Sequence, residues 1–224
     1  YAEKYRLVEV DQWFWSLFKD KIVLPKPETI AGYLASVPES FRFSIKVPNA
    51  ITLTHHPGTG RLTENPHFLS IALMTDFIER LEPMAKQINS LIFQFGYLNQ
   101  QKMKNQAVLL EKLGHFFENL PARFHYGIEL RNPKFINTAY FEFLDAMKLS
   151  HVFLQGYWMP PIFDVYARFK AVVKRHTIIR LLGPDRKNIE KKTGKKWNTI
   201  IEPKDGELSK LSHMVHTLLL NGVK

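Results

Sequence analysis

The chain contains no cysteine. That excludes a disulfide framework, a thiolate nucleophile and a cysteine-ligated zinc site, and it fits a reducing cytoplasm. No apolar run approaches the roughly 20 residues a membrane-spanning helix requires, so no membrane partner is expected. No signal peptide is visible either, although the first residue is Tyr1 rather than Met. Glycine is sparse, at 11 of 224 residues, and nowhere builds the Gly-rich strand-to-helix turn of a dinucleotide or P-loop site. G-x-S-x-G, H-E-x-x-H and EF-hand patterns are missing too. No cofactor and no metal are expected.

Acidic residues are also in short supply. Lys and Arg number 31 against 21 Asp and Glu, a formal net charge of +10. The densest basic stretch runs from Arg186-Lys187 to Lys195-Lys196. Such a surface raises association with polyanions and makes nucleic acid a candidate partner, but no helix-turn-helix, zinc-finger or RNP signature accompanies it. A solvated face or loop explains the charge as well. Apolar residues make up 45% of the chain, enough for one large core, and a single domain over residues 1–224 is expected.

The most informative pattern is six short apolar runs, each centred on a polar residue: Val8-Glu9-Val10, Ile45-Lys46-Val47, Phe93-Gln94-Phe95, Ile128-Glu129-Leu130-Arg131, Leu154-Gln155-Gly156 and Ile179-Arg180-Leu181. Side chains alternate along a strand, so each polar residue points away from its apolar neighbours. A charge on a buried strand needs water or a partner. The six polar residues are therefore expected to share one interior or mouth.

Between these strands the spacing predicts helices, the signature of βα units and a parallel sheet. Asn65 and Pro66 are expected to start a helix whose stripe runs from Phe68 to Leu81, with Pro83 interrupting it. Further helices are expected over about 101–119, 137–148 and 163–174. A last one is predicted from Asp205 as N-cap to a stop at Gly222, and residues 183 onward should be irregular. With no dinucleotide turn and with polar residues ending nearly every strand, a TIM (β/α)8 barrel is preferred to an open sheet. Tyr1–Tyr5 resembles the tail of a helix and Val223-Lys224 the start of a strand. The barrel is thus expected to lack its first and last strands here.

Within that mouth Glu9 and Glu129 are candidate general acid and base, or partners that neutralise neighbouring cations. Lys46, Arg131 and Arg180 outnumber the two glutamates by one, which favours a small anionic or phosphorylated ligand. Lys46 can form a Schiff base if desolvation lowers its pKa. Gln94 and Gln155 suit hydroxyl or amide recognition. His55, in the loop after the Lys46 strand, is a candidate proton shuttle. Trp15, with Trp13 and Phe14, and the Tyr157-Trp158-Met159 group can stack on a sugar ring or base, or simply plug the barrel. The functional expectation is a hydrolase, lyase or isomerase acting on a small anionic or phosphorylated molecule, with a nucleic-acid-binding or processing protein as the alternative and a noncatalytic binding barrel as a third reading. Nothing in the sequence indicates an oligomeric state.

Taken in order, several segments resemble the YecE-like family, a TIM-barrel family of unknown function. They are Leu7-Val8-Glu9-Val10, Pro27-Glu28-Thr29, Phe41 to Pro48, Leu91 to Phe95, Ile128-Glu129-Leu130-Arg131, Ile179 to Pro184, Trp197 and Pro203 to Leu208. The resemblance implies a barrel with a polar mouth and supplies no reaction. It also implies departures in this chain: Asn132 and Phe135 where a histidine and a tryptophan are usual, Leu182 for a histidine, and Phe14-Trp15 for Phe-Tyr.

Overall fold

The period-two alternation of the polar-centred runs becomes a sheet with one charged and one apolar face. A computed structural model describes residues 1–18, 21–58, 62–156, 158–174, 176–183, 186–196 and 198–223. β1 (Leu7–Val10) leads into a small hairpin, β2 (Leu17–Phe18) and β3 (Lys21–Ile22). Next come α1 (Pro27–Ala35), β4 (Arg42–Lys46), the single-turn α2 (Asn49–Thr52), α3 (Ile71–Leu81) and β5 (Ile88–Phe95). The remainder is α4 (Gln106–Glu118), β6 (Tyr126–Leu130), α5 (Thr138–Ala146), β7 (Ser150–Gln155), α6 (Ile162–Phe169), β8 (Ile178–Leu181), α7 (Arg186–Thr193) and α8 (Asp205–Leu220). Pro184, Tyr157, Trp197 and Lys224 lie outside the described residues.

Six strands form one sheet in the order β1-β4-β5-β6-β7-β8, parallel at every step. Adjacent strands lie about 4.8 Å apart, so a flat sheet of this order would separate its two edges by roughly 24 Å. Yet Arg180 on β8 reaches Glu9 on β1 with Nε 2.8 Å from Oε2. The sheet is therefore curled into a half-barrel. Its concave face carries Glu9, Ser44, Lys46, Gln94, Glu129 and Arg180, as the pairings Glu9↔Ser44, Ser44↔Ser90, Gln94↔Glu129 and Leu154↔Arg180 require. Gly127 leaves room on this face for side chains of the neighbouring strands. A Cβ there would sit 2.8 Å from Ile178 Cδ1 and 3.1 Å from Val152 Cγ2.

The convex face is the apolar one. Phe43, Ile45, Leu91, Phe93, Ile128 and Phe153 are buried there beneath the helices. Aromatic side chains fill the space between sheet and helices: Phe93 packs on Phe116 and Phe117 at 5.7 and 4.9 Å, and Phe141 stacks on Phe169 at 4.2 Å. Edge-on and offset contacts of this kind add to plain area burial. Among the described residues no helix is long and apolar enough to cross a membrane.

Several boundaries differ from expectation. α3 is capped by Ser70, whose hydroxyl accepts from Leu73 N at 3.2 Å, rather than by Asn65. The Asn65 side chain is already committed: Nδ2 donates to Ala50 O and Leu53 O, both at 2.7 Å, and Oδ1 accepts from His67 N. Leu69, at φ 53°, interrupts any continuous helix between the two. Pro83 falls in a 3-10 turn, Glu82–Gln87, that divides α3 from β5. Asp205 is the first residue of α8 rather than its cap. There its carboxylate still favours the positive end of the helix dipole. Gly222, at φ 73°, ends α8 as expected, with Val223 N donating back to Leu218 O. The basic segment expected to be irregular forms α7.

Candidate site on the concave face

Glu129, at the end of β6, is fully buried and accepts from two arginines. Arg131, two residues on, places Nε and Nη2 each 2.8 Å from Oε1. Arg180 donates from Nη1 to Oε2. The same guanidinium forks onto Glu9, Nε to Oε2 and Nη2 to Oε1, both at 2.8 Å. Gln94 Oε1 accepts from Arg180 Nη1 at 3.3 Å. Four charges thus form a chain, Glu9–Arg180–Glu129–Arg131, in which the Arg180–Glu9 fork has the planar bidentate geometry arginine favours. Burial opposes the charge on Arg180, but Glu129 and Glu9 more than offset that and hold its pKa above the ordinary value.

Lys46 stands apart within this cluster. Its side chain is buried, and among the described residues no carboxylate lies in ion-pair contact with it. Its ammonium sits 3.9 Å from the centroid of the Phe14 ring, a cation–π contact. Burial lowers the Lys46 pKa and the neighbouring Arg180 lowers it further, against the opposing pull of Glu9, Glu129 and Asp11.

Phe14 is held in place by a residue that sequence reasoning missed. Asn49, buried at the start of α2, accepts on Oδ1 from Ser16 N at 3.0 Å and from Leu17 N at 3.1 Å. Its own N–H donates to Phe14 O at 2.7 Å. The loop after β1 is thereby fastened to the end of β4, so Phe14 covers Lys46. The visible signal was the Pro48-Asn49 pair directly after a strand, a turn-forming dipeptide whose distant partner local sequence does not reveal.

The other predicted residues lie elsewhere. Trp15 is exposed and packs edge-on against Phe14 at 5.0 Å, outside the charge chain. His55 pairs through Nδ1 with Thr54 Oγ1 at 2.9 Å and bridges Glu64 in the loop after α2, and among the described residues these contacts do not reach the cluster. Gln155 is on the convex side: Oε1 accepts from Ile162 N at 3.0 Å and Nε2 donates to Glu207 Oε2 at 3.1 Å, tying α6 to α8. Leu154, not Gln155, shares the register of Arg180. Among the described residues no group of three or more His, Asp or Glu can hold a metal ion.

Comparison with known proteins agrees with the resemblance. The family model described as "Protein of unknown function DUF72" matches residues 1–217. "UPF0759 protein YecE" of Escherichia coli K12 is 27% identical over 135 residues, 60% of this chain and 41% of that protein's length, so the match spans about two-fifths of the curated relative. The crystal structure of a DUF72 family protein from Enterococcus faecalis V583 superposes with a TM-score of 0.65 at 21% identity, over 98% of this chain and 76% of that one. A DUF72 family protein from Thermotoga maritima MSB8 gives 0.60 at 15% identity, over 93% and 74%. At these identities the solved structures speak to fold.

Proposed function

The chain belongs to the DUF72 family of proteins of unknown function, and on that premise we propose an enzyme of the lyase or isomerase type that acts on a small anionic carbonyl compound through Lys46. One observation carries the reading. Every other charge in the cluster is partnered, while Lys46 is buried without a counter-ion among the described residues. A substrate anion would supply the missing negative charge, and the lowered pKa raises the fraction of free amine at neutral pH. The reading places the site at the C-terminal strand ends of a (β/α)8 barrel, supported by the unbroken parallel order and the curl.

In the proposed step the Lys46 Nζ lone pair attacks the carbonyl carbon. The C–N bond forms, the C–O bond breaks, the oxygen leaves as water with the two protons that the amine nitrogen gives up, and an imine remains. The imine withdraws electrons and acidifies the adjacent C–H; hydrolysis returns the free amine. Glu9, the more exposed carboxylate, is the proton carrier. Glu129 keeps Arg180 and Arg131 in place, and Arg131, a fifth exposed, meets the substrate anion at the rim. Gln94 spends its carbonyl on Arg180, and its amide N–H groups remain for a ligand oxygen.

Reductive trapping tests this. Incubation with glyoxylate and borohydride near neutral pH, followed by digestion and mass spectrometry, is expected to give a secondary amine predominantly at Lys46. Modification spread over surface lysines, with Lys46 untouched, would overturn the proposal. A second reading, nucleic-acid binding, is favoured by Lys191, Lys192, Lys195 and Lys196 on and after α7, although Lys192 is paired with Glu202. Steep loss of binding with added salt distinguishes it.

A further inference from the structure

The loops at the C-terminal ends of β5, β6 and β7 enclose a groove of about 1200 Å³ that the Lys46 cluster does not use. This exceeds the ~300–1,000 Å³ of ordinary ligand pockets. Two aromatic rings line it while remaining more than half exposed, Tyr97 at 55% and Trp158 at 57%. Two lysines, Lys104 and Lys134, line it as well, and among the described residues its lining contains no Asp or Glu. Neither lysine has an ion-pair partner among the described residues.

The walls are fixed in advance. Buried Asn132 accepts from Leu98 N at 2.9 Å and donates to Leu98 O at 2.8 Å, clamping the β5 loop to the β6 loop. Gln106 and Asn137 exchange hydrogen bonds of 3.1 and 2.7 Å, joining the starts of α4 and α5. Trp158 Nε1 donates to Arg131 O at 3.4 Å, which ties its ring to the β6 loop. A rigid groove with exposed rings and uncompensated positive charge suits a flat ring that carries a phosphate. Sugar-binding alone would leave the two ammonium groups unanswered.

We infer that this groove binds a nucleoside monophosphate, with the base stacked on Tyr97 and Trp158 and the phosphate held by Lys104 and Lys134. Calorimetric titration of the full chain with adenosine 5′-monophosphate is the test, with adenosine, ribose 5-phosphate and a single-stranded hexanucleotide as comparisons. The monophosphate is expected to bind more tightly than adenosine or ribose 5-phosphate. Tyr97→Ala and Trp158→Ala should each weaken it about 5- to 150-fold, the range for loss of one stacking contact, and Trp158→Phe should restore much of the loss. Joint replacement of Lys104 and Lys134 by alanine should weaken binding and flatten its salt dependence. No binding at millimolar nucleotide by a chain whose circular dichroism shows it folded would overturn the inference, as would affinity unchanged in the aromatic variants. A hexanucleotide bound more tightly than the monophosphate and weakened by the same variants would overturn it too, by placing the ring in a strand. Trapping at Lys46 reads a different side chain, so either proposal can fail alone.

Discussion

Glu129→Gln is expected to destabilise the protein by about 3–5 kcal/mol, the usual result of removing one partner from a buried ion pair. For a chain of this size that corresponds to a fall in Tm on the order of 10 °C. Glu129 is fully buried and serves two arginines at once. The glutamine keeps the shape but loses the charge, and its amide group directs N–H donors at a guanidinium that has only donors to offer. Arg180 would retain its fork on Glu9, which is more exposed and cannot compensate in full. Urea denaturation followed by far-UV circular dichroism gives the number. A variant within about 0.5 kcal/mol of the parent would remove Glu129 from the scaffold of the site.

Lys46→Met should act in the opposite direction and raise stability at neutral pH by about 1–2 kcal/mol. Methionine fills the stem volume of lysine and places sulfur against Phe14, a contact favourable in its own right. The gain comes from no longer burying an uncompensated ammonium. Its pH dependence has a definite sign. The folded pKa of Lys46 lies below the ordinary 10.5, so between the two values the unfolded chain binds more protons and parent stability rises with pH. The advantage of the variant is therefore complete below the folded midpoint and fades as pH approaches 10.5. Parallel urea titrations from pH 7 to 10.5 would show the two curves converging. Residues that cost stability in a pocket are those a reaction uses, and the same variant should lose all trapping by glyoxylate.

How far the sequence disclosed this arrangement depended on the range of the interaction. Alternation along single strands was enough to put Glu9, Lys46, Gln94, Glu129 and Arg180 on one face, because period two is a local property of extended backbone. It failed at Gln155. A polar residue between apolar ones fixes parity within β7 but not the parity of β7 against its neighbours, which comes from pairing with β8. Caps followed the same rule. Asn137, at the start of the helix expected over 137–148, caps α5, whereas Asn65, an asparagine expected to cap, is consumed by carbonyls of residues 50 and 53. The fastening of Phe14 over Lys46 by Asn49 joins segments more than thirty residues apart, and no local pattern encodes it. A curling sheet was expected from the polar residues that end nearly every strand, whereas the room left on the concave face at Gly127 was not read from the sequence.

The relation between the two glutamates and Lys46 also changed in meaning. From sequence the glutamates were candidate acid and base and Lys46 a candidate Schiff-base amine, or else partners that neutralise one another in one charged mouth. In the structure the glutamates are held by arginines, and the lysine alone is left without an opposite charge in contact among the described residues. The ionisation of that lysine is the measurement that bears most directly on the proposal. Protein labelled with ¹³C at the lysine ε-carbons, its Lys46 signal assigned by loss in Lys46→Met, can be titrated by NMR. A Lys46 midpoint clearly below 10.5, recovering toward the ordinary value when Phe14→Ala opens the site to water, is the predicted result. A midpoint at or above 10.5 in the parent chain would contradict it, and would make Lys46 one more cation of the scaffold.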